Sequence, residues 1–172
     1  MEELVRQAQK GDADAFTRLM QSQMQNMYKT ARSVVRNDED AADAISDTIL
    51  ACWEKIGQLK DVQLFKTWMT RILINKCNDI LRQYKKNRMG EEAWGTGKSP
   101  EQYERVEWLE TLNRLDEKYR TVLVLYYVDG LSTAEIGQIL KMPDATVRTR
   151  LARGRNQMTA IYSMEPERRV RG

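Results

Sequence analysis

The sequence predicts an all-α protein made of two small helical domains joined by a flexible linker. Apolar residues recur at three- and four-residue steps over most of the chain, with hardly any of the alternation typical of strands. Only three of the 172 residues are proline and nine are glycine, while good helix formers are frequent. At residues 87–100 the apolar period lapses into a stretch rich in glycine and charge, which indicates the linker.

The first domain, residues 1–86, is expected to hold four helices. A loop at residues 57–63 separates the third helix from the fourth. Met24 falls on the apolar stripe of the second helix, and Tyr84 falls on that of the fourth, so both are expected to face inward. The expected bounds are about Glu2–Lys10, Asp14–Arg36, Glu39–Ile56 and Leu64–Lys86.

The second domain, residues 101–163, is expected to be helical as well. One helix should begin near Glu101, and another should span Asp116–Val128. The chain then continues into two further short helices. The last residues, 164–172, form a basic tail that we expect to be frayed.

Residues 131–157 have the pattern of a helix-turn-helix. Ser132 and Glu135 have the spacing of a capping box, which starts the first helix. Glycine costs about 1 kcal/mol relative to alanine inside a helix, so Gly137 predicts that another helix packs too close to allow a side chain. Pro143 cannot continue the first helix and separates it from the second. The residues expected to face inward are Ala134, Ile136, Ile139, Leu140, Val147 and Leu151.

Charge is segregated along the chain, although the net charge is only +3. Residues 65–90 hold seven basic and one acidic side chain, and residues 141–157 hold five basic and one acidic. The stretches before and between them are acidic overall. Two basic helices in acidic surroundings predict two nucleic-acid contacts, with the acidic faces left for protein partners or solvent. The alternative is that both are solvated cationic faces.

Several classes of function lack support in the sequence. There is no histidine, and no pairing of nucleophile and base, metal cluster or phosphate-binding loop is recognisable, so we expect no enzyme activity, cofactor or metal. Cys52 and Cys77 fall on apolar stripes, which predicts buried free thiols. The polar N-terminus is no secretory signal, and the longest apolar run, residues 122–128, is too short to span a bilayer. We therefore expect a cytoplasmic protein without direct membrane insertion.

Five stretches of the chain match one family pattern in order and spacing. They are GDADAFTRL, NDEDAADAISDTILACW and LFKTWMTRILINKCNDILR in the first half, and LDEKYRTVLVLYYVDGLSTAEIGQIL and PDATVRTRLARGR in the second. Together they resemble the extracytoplasmic-function (ECF) branch of the sigma-70 family, bacterial initiation factors reduced to regions 2 and 4 around a linker. The resemblance covers nearly the whole chain. In region 2 the family's usual residues are matched by Phe65, Thr67, Trp68, Arg71, Ile72, Asn75 and Asp79.

The resemblance implies a protein that binds core RNA polymerase, directs it to promoter DNA and helps to open that DNA. Region 4 would place the helix from Asp144 in the major groove of the −35 element. The family commonly has a small or apolar residue in place of Asp144, whose carboxylate either accepts a hydrogen bond from cytosine or caps the helix. The implied −35 contacts are Asp144, Ala145, Thr146, Arg148, Thr149, Arg150 and Arg153.

Region 2 would recognise the −10 element and hold a flipped base in a pocket made by residues 59–63 and Asn75. Many relatives have an aromatic residue in place of Leu59, so the identity of the captured base stays open. Phe65 and Trp68 lie on a helical stripe, where aromatic side chains serve either as base platforms or as core. The implied −10 contacts are Leu59, Lys60, Phe65, Trp68, Arg71, Asn75, Lys76 and Arg82.

The acidic third helix matches the family's main anchor on the β′ clamp helices of polymerase. The family's usual glutamine–glutamate pair is Ser46-Asp47 here, which keeps the charge and shortens the reach. An ordinary solvent-facing acidic helix is the alternative. The apolar stretch VLVLYYV of region 4 would supply core and a patch for the β flap, and family members are usually held inactive by an anti-sigma factor. The implied polymerase contacts are Asp40, Asp43, Ser46, Asp47 and Leu50.

Two other interpretations compete with the sigma factor. A two-domain transcriptional regulator would bind operator DNA through its helix-turn-helix, independently of polymerase, and would self-associate through its N-terminal helices. A helical adaptor that binds only proteins would leave the two basic helices unexplained. A sigma factor instead predicts tight binding to core polymerase and weak binding to free DNA.

Overall fold

The computed structural model describes residues 1–87 and 103–163, with the side chains of the second segment described from residue 109 onwards. Within these residues the regular structure is entirely helical, in eight α-helices and two short 3₁₀ helices. The chain divides into two compact units, residues 1–97 and 98–172. The predicted all-α class with two helical domains is therefore confirmed. Most of the predicted linker and the basic tail lie outside the described residues.

Four helices build the first unit around one hydrophobic core. The second, third and fourth helices pack against one another, and the first packs on the second and on the 3₁₀ helices. Small residues such as Ala41 and Ala44 let the third helix approach its neighbours, while Leu19, Met27 and Phe65 fill the centre. The helices are α1 (Glu2–Gln9), α2 (Ala13–Arg32), α3 (Asp38–Lys55) and α4 (Phe65–Lys86), with 3₁₀ helices at Ile56–Gln58 and Val62–Leu64.

The second helix ends one turn earlier than its apolar period predicts, at Arg32 rather than Arg36. The Ser33 hydroxyl donates to the Thr30 carbonyl at 2.6 Å, which competes with continued helical bonding. The Arg32 guanidinium donates to the Asp38 carboxylate and, at 3.0 Å, to the Arg36 carbonyl. The segment between α2 and α3 is thus a turn closed by side chains, and the predicted boundary was wrong.

Two side chains that the apolar stripes place inside are exposed. Met24 is 40% exposed, and the neighbouring Gln23 is buried in its stead. Tyr84 is 47% exposed, and its hydroxyl donates to Asp40 Oδ2 at 2.8 Å. This bond raises the pKa of Tyr84, because the adjacent carboxylate favours the protonated phenol. Tyr84 therefore links the end of α4 to the start of α3 instead of filling the core.

Both cysteines are buried free thiols, as predicted. Burial raises the pKa of Cys52 to about 12. Burial, with a smaller contribution from the Asp40 carboxylate, raises the pKa of Cys77 to about 12 as well. Because the thiolate is the reactive form, both side chains behave as small core hydrophobes.

The second unit packs its last helix against the two that precede it. Its second helix matches the predicted span Asp116–Val128 to within one residue at each end. Arg120 is buried, and its guanidinium donates to the carbonyls of Leu112 at 2.8 Å and Leu115 at 3.0 Å. The Arg120 guanidinium thus provides hydrogen-bond donors to carbonyls at the end of the preceding helix. The helices are α5 (Tyr103–Arg114), α6 (Glu117–Tyr127), α7 (Thr133–Leu140) and α8 (Asp144–Ser163).

Candidate nucleic-acid and polymerase interfaces

The predicted capping box starts the helix-turn-helix. Glu135 N donates to Ser132 Oγ at 3.1 Å, and Ser132 N donates to Glu135 Oε2 at 2.8 Å. Ile136 and Ile139 are buried as predicted. Ala134 is exposed, because it lies on the outer side of this short helix, so its predicted inward position was wrong. The capping box therefore sets where α7 begins and which of its faces packs inward.

A tight turn with a close backbone approach connects α7 to α8. An ideal Cβ on Gly137 would lie 2.7 Å from the Met142 carbonyl oxygen. Lys141 adopts a left-handed conformation (φ 57°), and Met142 N donates to the Gly137 carbonyl at 2.9 Å. Gly137 is needed because the turn itself folds back onto it. The expectation that a second helix causes the close approach was wrong.

Replacing Gly137 with alanine is expected to destabilise the second unit. Alanine gains about 1 kcal/mol of helix propensity, but its Cβ must displace the turn backbone, and we expect a net loss of about 1–3 kcal/mol. Hydrogen exchange of residues 131–157 in the full chain measures this loss. Gly57→Ala is the control, since an ideal Cβ there meets nothing within 4 Å. Equal protection in Gly137→Ala and the unmodified chain would contradict the packing argument.

The first three turns of α8 carry the predicted −35 residues outside the buried stripe of the helix. Val147 and Leu151 are buried and anchor the helix to the unit. The predicted contacts occupy the remaining positions, so none of them is a core residue. Ala145, Arg148, Thr149 and Arg153 are exposed, and Asp144, Thr146 and Arg150 are half-buried.

Asp144 is the first residue of α8 and pairs with an arginine one turn later. Its Oδ2 lies 3.0 Å from Arg148 Nε. The Pro143 carbonyl accepts from the N–H groups of Thr146 and Val147, so Pro143 occupies the capping position. The expectation that Asp144 itself caps the helix was wrong. Its carboxylate instead holds the Arg148 side chain near the N-terminus of α8.

Arg155 contacts two tyrosine side chains near the end of α6. Its Nε donates to the Tyr127 hydroxyl, and its guanidinium lies 5.6 Å from the ring centroids of both Tyr126 and Tyr127. The two rings meet edge to face at 5.0 Å. Arg155 therefore joins α8 to the end of α6 through cation–π contact.

The segment between α3 and α4 is ordered by contacts to α1. Leu59 is half-buried against the core, and its carbonyl accepts from Gln9 Nε2 at 2.8 Å. Asp61 accepts from Gln63 N at 3.0 Å and so starts the second 3₁₀ helix. Lys60 is exposed. We call residues 59–63 the −10 loop, and its conformation depends on these contacts.

The two aromatic −10 candidates differ in burial. Phe65 is 1% exposed, and its ring cannot reach a base without unfolding the core, so its predicted contact with DNA was wrong. Trp68 is half-buried against the core, with its ring centroid 6.0 Å from that of Phe65. The core alternative therefore holds for Phe65, while Trp68 remains partly exposed.

The basic surface of α4 divides into an outer face and a groove. Arg71, Asn75 and Arg82 are exposed and recur at steps of four and seven residues, so they share one face. Arg82 pairs with Asp79 at 3.1 Å. Lys76 is half-buried and lines a shallow groove between α3 and α4. The other groove residues are Asp43, Ser46, Asp47, Asp79, Ile80 and Gln83.

The predicted polymerase face lies along α3. Asp43, Ser46, Asp47 and Leu50 are exposed at three- and four-residue spacing, and Leu50 is 57% exposed. Asp40 differs from them because its carboxylate accepts from Tyr84 and from Asn37 Nδ2. The main role of its carboxylate is therefore to connect α3 to α4, and it is less available to a binding partner than the other four residues.

Similarity to known proteins covers both units. Residues 19–87 match the family model described as Sigma-70 region 2, and residues 105–158 match Sigma-70, region 4. The ECF RNA polymerase sigma factor SigW of Bacillus subtilis is 32% identical over 174 residues, which span 90% of this chain and 92% of SigW. The chain belongs to the ECF branch of the sigma-70 family. This sigma factor is also 31% identical over 173 residues to the RNA polymerase sigma factor NccH of Alcaligenes xylosoxydans, with 93% of each chain covered.

A solved structure of CnrH in complex with the cytosolic domain of CnrY has the same fold. It superposes on this sigma factor with a TM-score of 0.68 at 27% identity, covering 95% of this chain and 97% of that one. The family consists of DNA-binding transcription initiation factors, which favours the sigma-factor interpretation over the operator-binding regulator. Among the described helices of this sigma factor, none is long and apolar enough to cross a membrane.

Two features of the sites in this sigma factor were not predicted from the sequence. Trp53 is 41% exposed and continues the α3 face one turn beyond Leu50, where its ring lies 5.0 Å from that of Phe16. An aromatic residue three positions after Leu50 was a usable signal for that extension. Gln9 had no such signal, because its contacts with the −10 loop join residues 47 and 50 positions apart.

Proposed function

We propose that this sigma factor binds core RNA polymerase through α3 and contacts promoter DNA twice, with α8 at the −35 element and with the −10 loop and α4 at the −10 element. The exposed side of α8 is the observation that carries the proposal. It offers arginine and threonine side chains on a helix that Val147 and Leu151 anchor from behind. A helix so anchored is the usual means of entering a major groove.

The −35 contact is assigned to the start of α8. Arg148, Arg150 and Arg153 supply charge for guanine edges and phosphates, and Thr146 and Thr149 supply hydroxyl groups. Asp144 acts through its ion pair with Arg148, because a guanidinium held at one side presents its remaining N–H groups in a defined direction. The N-terminal end of α8 also attracts phosphate through its helix dipole.

The −10 contact is assigned to the exposed face of α4 and the adjoining loop. Arg71 and Arg82 supply charge for phosphates, and Asn75 supplies an amide that can pair with the edge of an unstacked base. Trp68 is partly exposed one turn from Arg71, and a solvent-facing part of its ring face would offer a stacking surface. Lys60 adds a cation at the loop itself.

The polymerase contact is assigned to the exposed stripe of α3, directed at the β′ clamp helices. Asp43 and Asp47 provide charge, and Leu50 and Trp53 extend the stripe with apolar surface. A charged rim beside exposed apolar side chains is the composition of a protein interface. In the second unit the run at residues 122–125 is buried, so Tyr127 is the exposed part left for the β flap.

The solved CnrH structure contains the cytosolic domain of CnrY, and we extend this arrangement to an anti-sigma factor for the present chain. Such a partner would withhold the protein from polymerase until a signal arrives. Binding to polymerase and promoter DNA places its action in the cytoplasm and requires no catalytic group of its own.

Comparing binding to core polymerase with binding to free promoter duplex tests the proposal against the regulator alternative. We expect tight binding to core, and duplex binding in the non-specific range of about 10⁻⁶–10⁻⁴ M at physiological salt. Fluorescence anisotropy of the labelled full chain measures both. Specific duplex affinity of about 10⁻⁸ M or better without polymerase, with no binding to core, would favour the regulator.

A further inference from the structure

The amide of Gln9 spans the backbone that leads into the −10 loop. Gln9 is the last residue of α1, and its Nε2 donates to the carbonyls of Ile56 at 3.0 Å and Leu59 at 2.8 Å. Both hydrogen bonds are partly buried. The two N–H groups of one amide thus match two carbonyl acceptors.

These carbonyls stand at the two ends of one structural element. Ile56 begins the 3₁₀ helix that follows α3, and Leu59 is the residue at which that helix ends and the −10 loop begins. The Ile56 carbonyl also accepts from Leu59 N at 3.2 Å, whereas a carbonyl at the C-terminal end of a helix, such as that of Leu59, lacks a partner within the helix. A single side chain bound to both therefore fixes the length and direction of the turn from which the loop starts.

Gln9 is itself held in place by the core. Val5 and Ala8, on the same helix, are buried in the main cluster. The backbone N–H groups of Lys10 and Asp12 close the end of α1 on the Gln7 carbonyl, each at 3.1 Å. The backbone of Gln9 is therefore held in place by the packing of α1. Its side-chain hydrogen bonds consequently fix the position of the −10 loop relative to α1.

We infer that Gln9 is a positioning residue for promoter opening: its amide holds the −10 loop in the conformation that receives an unpaired base. The inference rests on the proposed function of that loop. Loss of the amide would leave the Leu59 carbonyl to water, remove one of two donors from the Ile56 carbonyl, and allow the loop to sample other conformations. The resulting defect belongs to base capture rather than to polymerase binding.

The test uses the full chain with core polymerase and compares Gln9→Leu, which removes both donors at similar size, with Gln9→Glu, which sets a carboxylate against two carbonyls. We expect Gln9→Leu to lower the permanganate reactivity of unpaired −10 thymines about tenfold and Gln9→Glu to lower it further. Gln7→Leu is the matched control, because Gln7 lies on the same helix and, within the part of the chain that the structure describes, its amide donates to Glu3 Oε1 at 3.4 Å and to no loop carbonyl.

Two further readouts separate positioning from loss of structure. Single-base substitutions in the −10 element should reduce opening less in Gln9→Leu than in the unmodified chain, since a loosened loop discriminates less. Hydrogen exchange of residues 57–64 in the free chain should accelerate at least about tenfold, while affinity for core stays unchanged and the unfolding midpoint falls by only a few degrees, which leaves the chain folded at the assay temperature. Gln9→Lys, which restores donors, should recover opening.

The outcomes distinguish this inference from the proposed function. If Gln9→Leu opens promoters, discriminates −10 bases and exchanges like the unmodified chain, the inference is overturned. A fall in opening that is matched by a fall in core affinity, or by unfolded chain at the assay temperature, also overturns it, because the role is then structural. If the unmodified chain opens no promoter with core polymerase, the proposed function fails and the inference falls with it.

Discussion

Replacing Asp43 and Asp47 with alanine is expected to weaken binding to core RNA polymerase about tenfold or more, while −35 recognition is retained. Both carboxylates are exposed on one face of α3, so their removal creates no cavity. Their loss takes negative charge from the proposed polymerase face, and if the partner surface is basic, association slows most at low salt. Titrating the labelled chain with core polymerase at two salt concentrations measures the effect.

A variant with the same charge loss elsewhere is the control for this prediction. Glu3→Ala with Asp14→Ala removes two exposed carboxylates from α1 and α2. It should bind core like the unmodified chain. Equal weakening in both double variants would mean that net charge, rather than the α3 face, governs association.

Replacing Arg148 and Arg150 with alanine is expected to reduce transcription that depends on the −35 element about 100-fold, with core binding unchanged. A good bidentate contact between arginine and a base contributes about 1–3 kcal/mol, and these two side chains lie in the first two turns of α8. Removal of Arg148 also takes from Asp144 its ion-pair partner at the proposed DNA-contacting end of α8. Transcription from matched promoters with intact and substituted −35 elements measures the loss.

The control for α8 removes two cations that lie against tyrosine rings. Lys118 lies 5.1 Å from the Tyr119 ring centroid, and Arg155 contacts Tyr126 and Tyr127. Lys118→Ala with Arg155→Ala should keep the difference between intact and substituted −35 elements. A loss as large as that of Arg148→Ala with Arg150→Ala would show that the arginines of α8 act only through overall charge.

Most helix positions could be predicted, because the signals are local. The capping box of Ser132 and Glu135 and the apolar period of α4 each depend on residues within a few turns, and both predictions hold. The end of α2 could not be predicted, because Arg32 and Ser33 stop the helix through contacts that become visible only when the turn is formed.

The sites were less predictable than the helices, because a side chain's availability depends on what packs beside it. Phe65 and Trp68 share a stripe, yet Phe65 is buried and Trp68 is partly exposed. Asp40 matches the polymerase anchor in sequence, but Tyr84 occupies its carboxylate across 44 residues of chain. The Gln9 amide donates to two backbone carbonyls. A sequence pattern of side chains cannot predict such contacts, because every residue has a backbone carbonyl.

Transcription reconstituted from purified components tests the central claim most directly. Core polymerase mixed with the full chain should produce transcripts from a small, reproducible set of start sites in a genomic library. Those start sites should share −35 and −10 elements, and core polymerase alone should not use them. If no specific start sites appear although the chain is folded and core is active, the assignment of promoter recognition to these two helical units is contradicted.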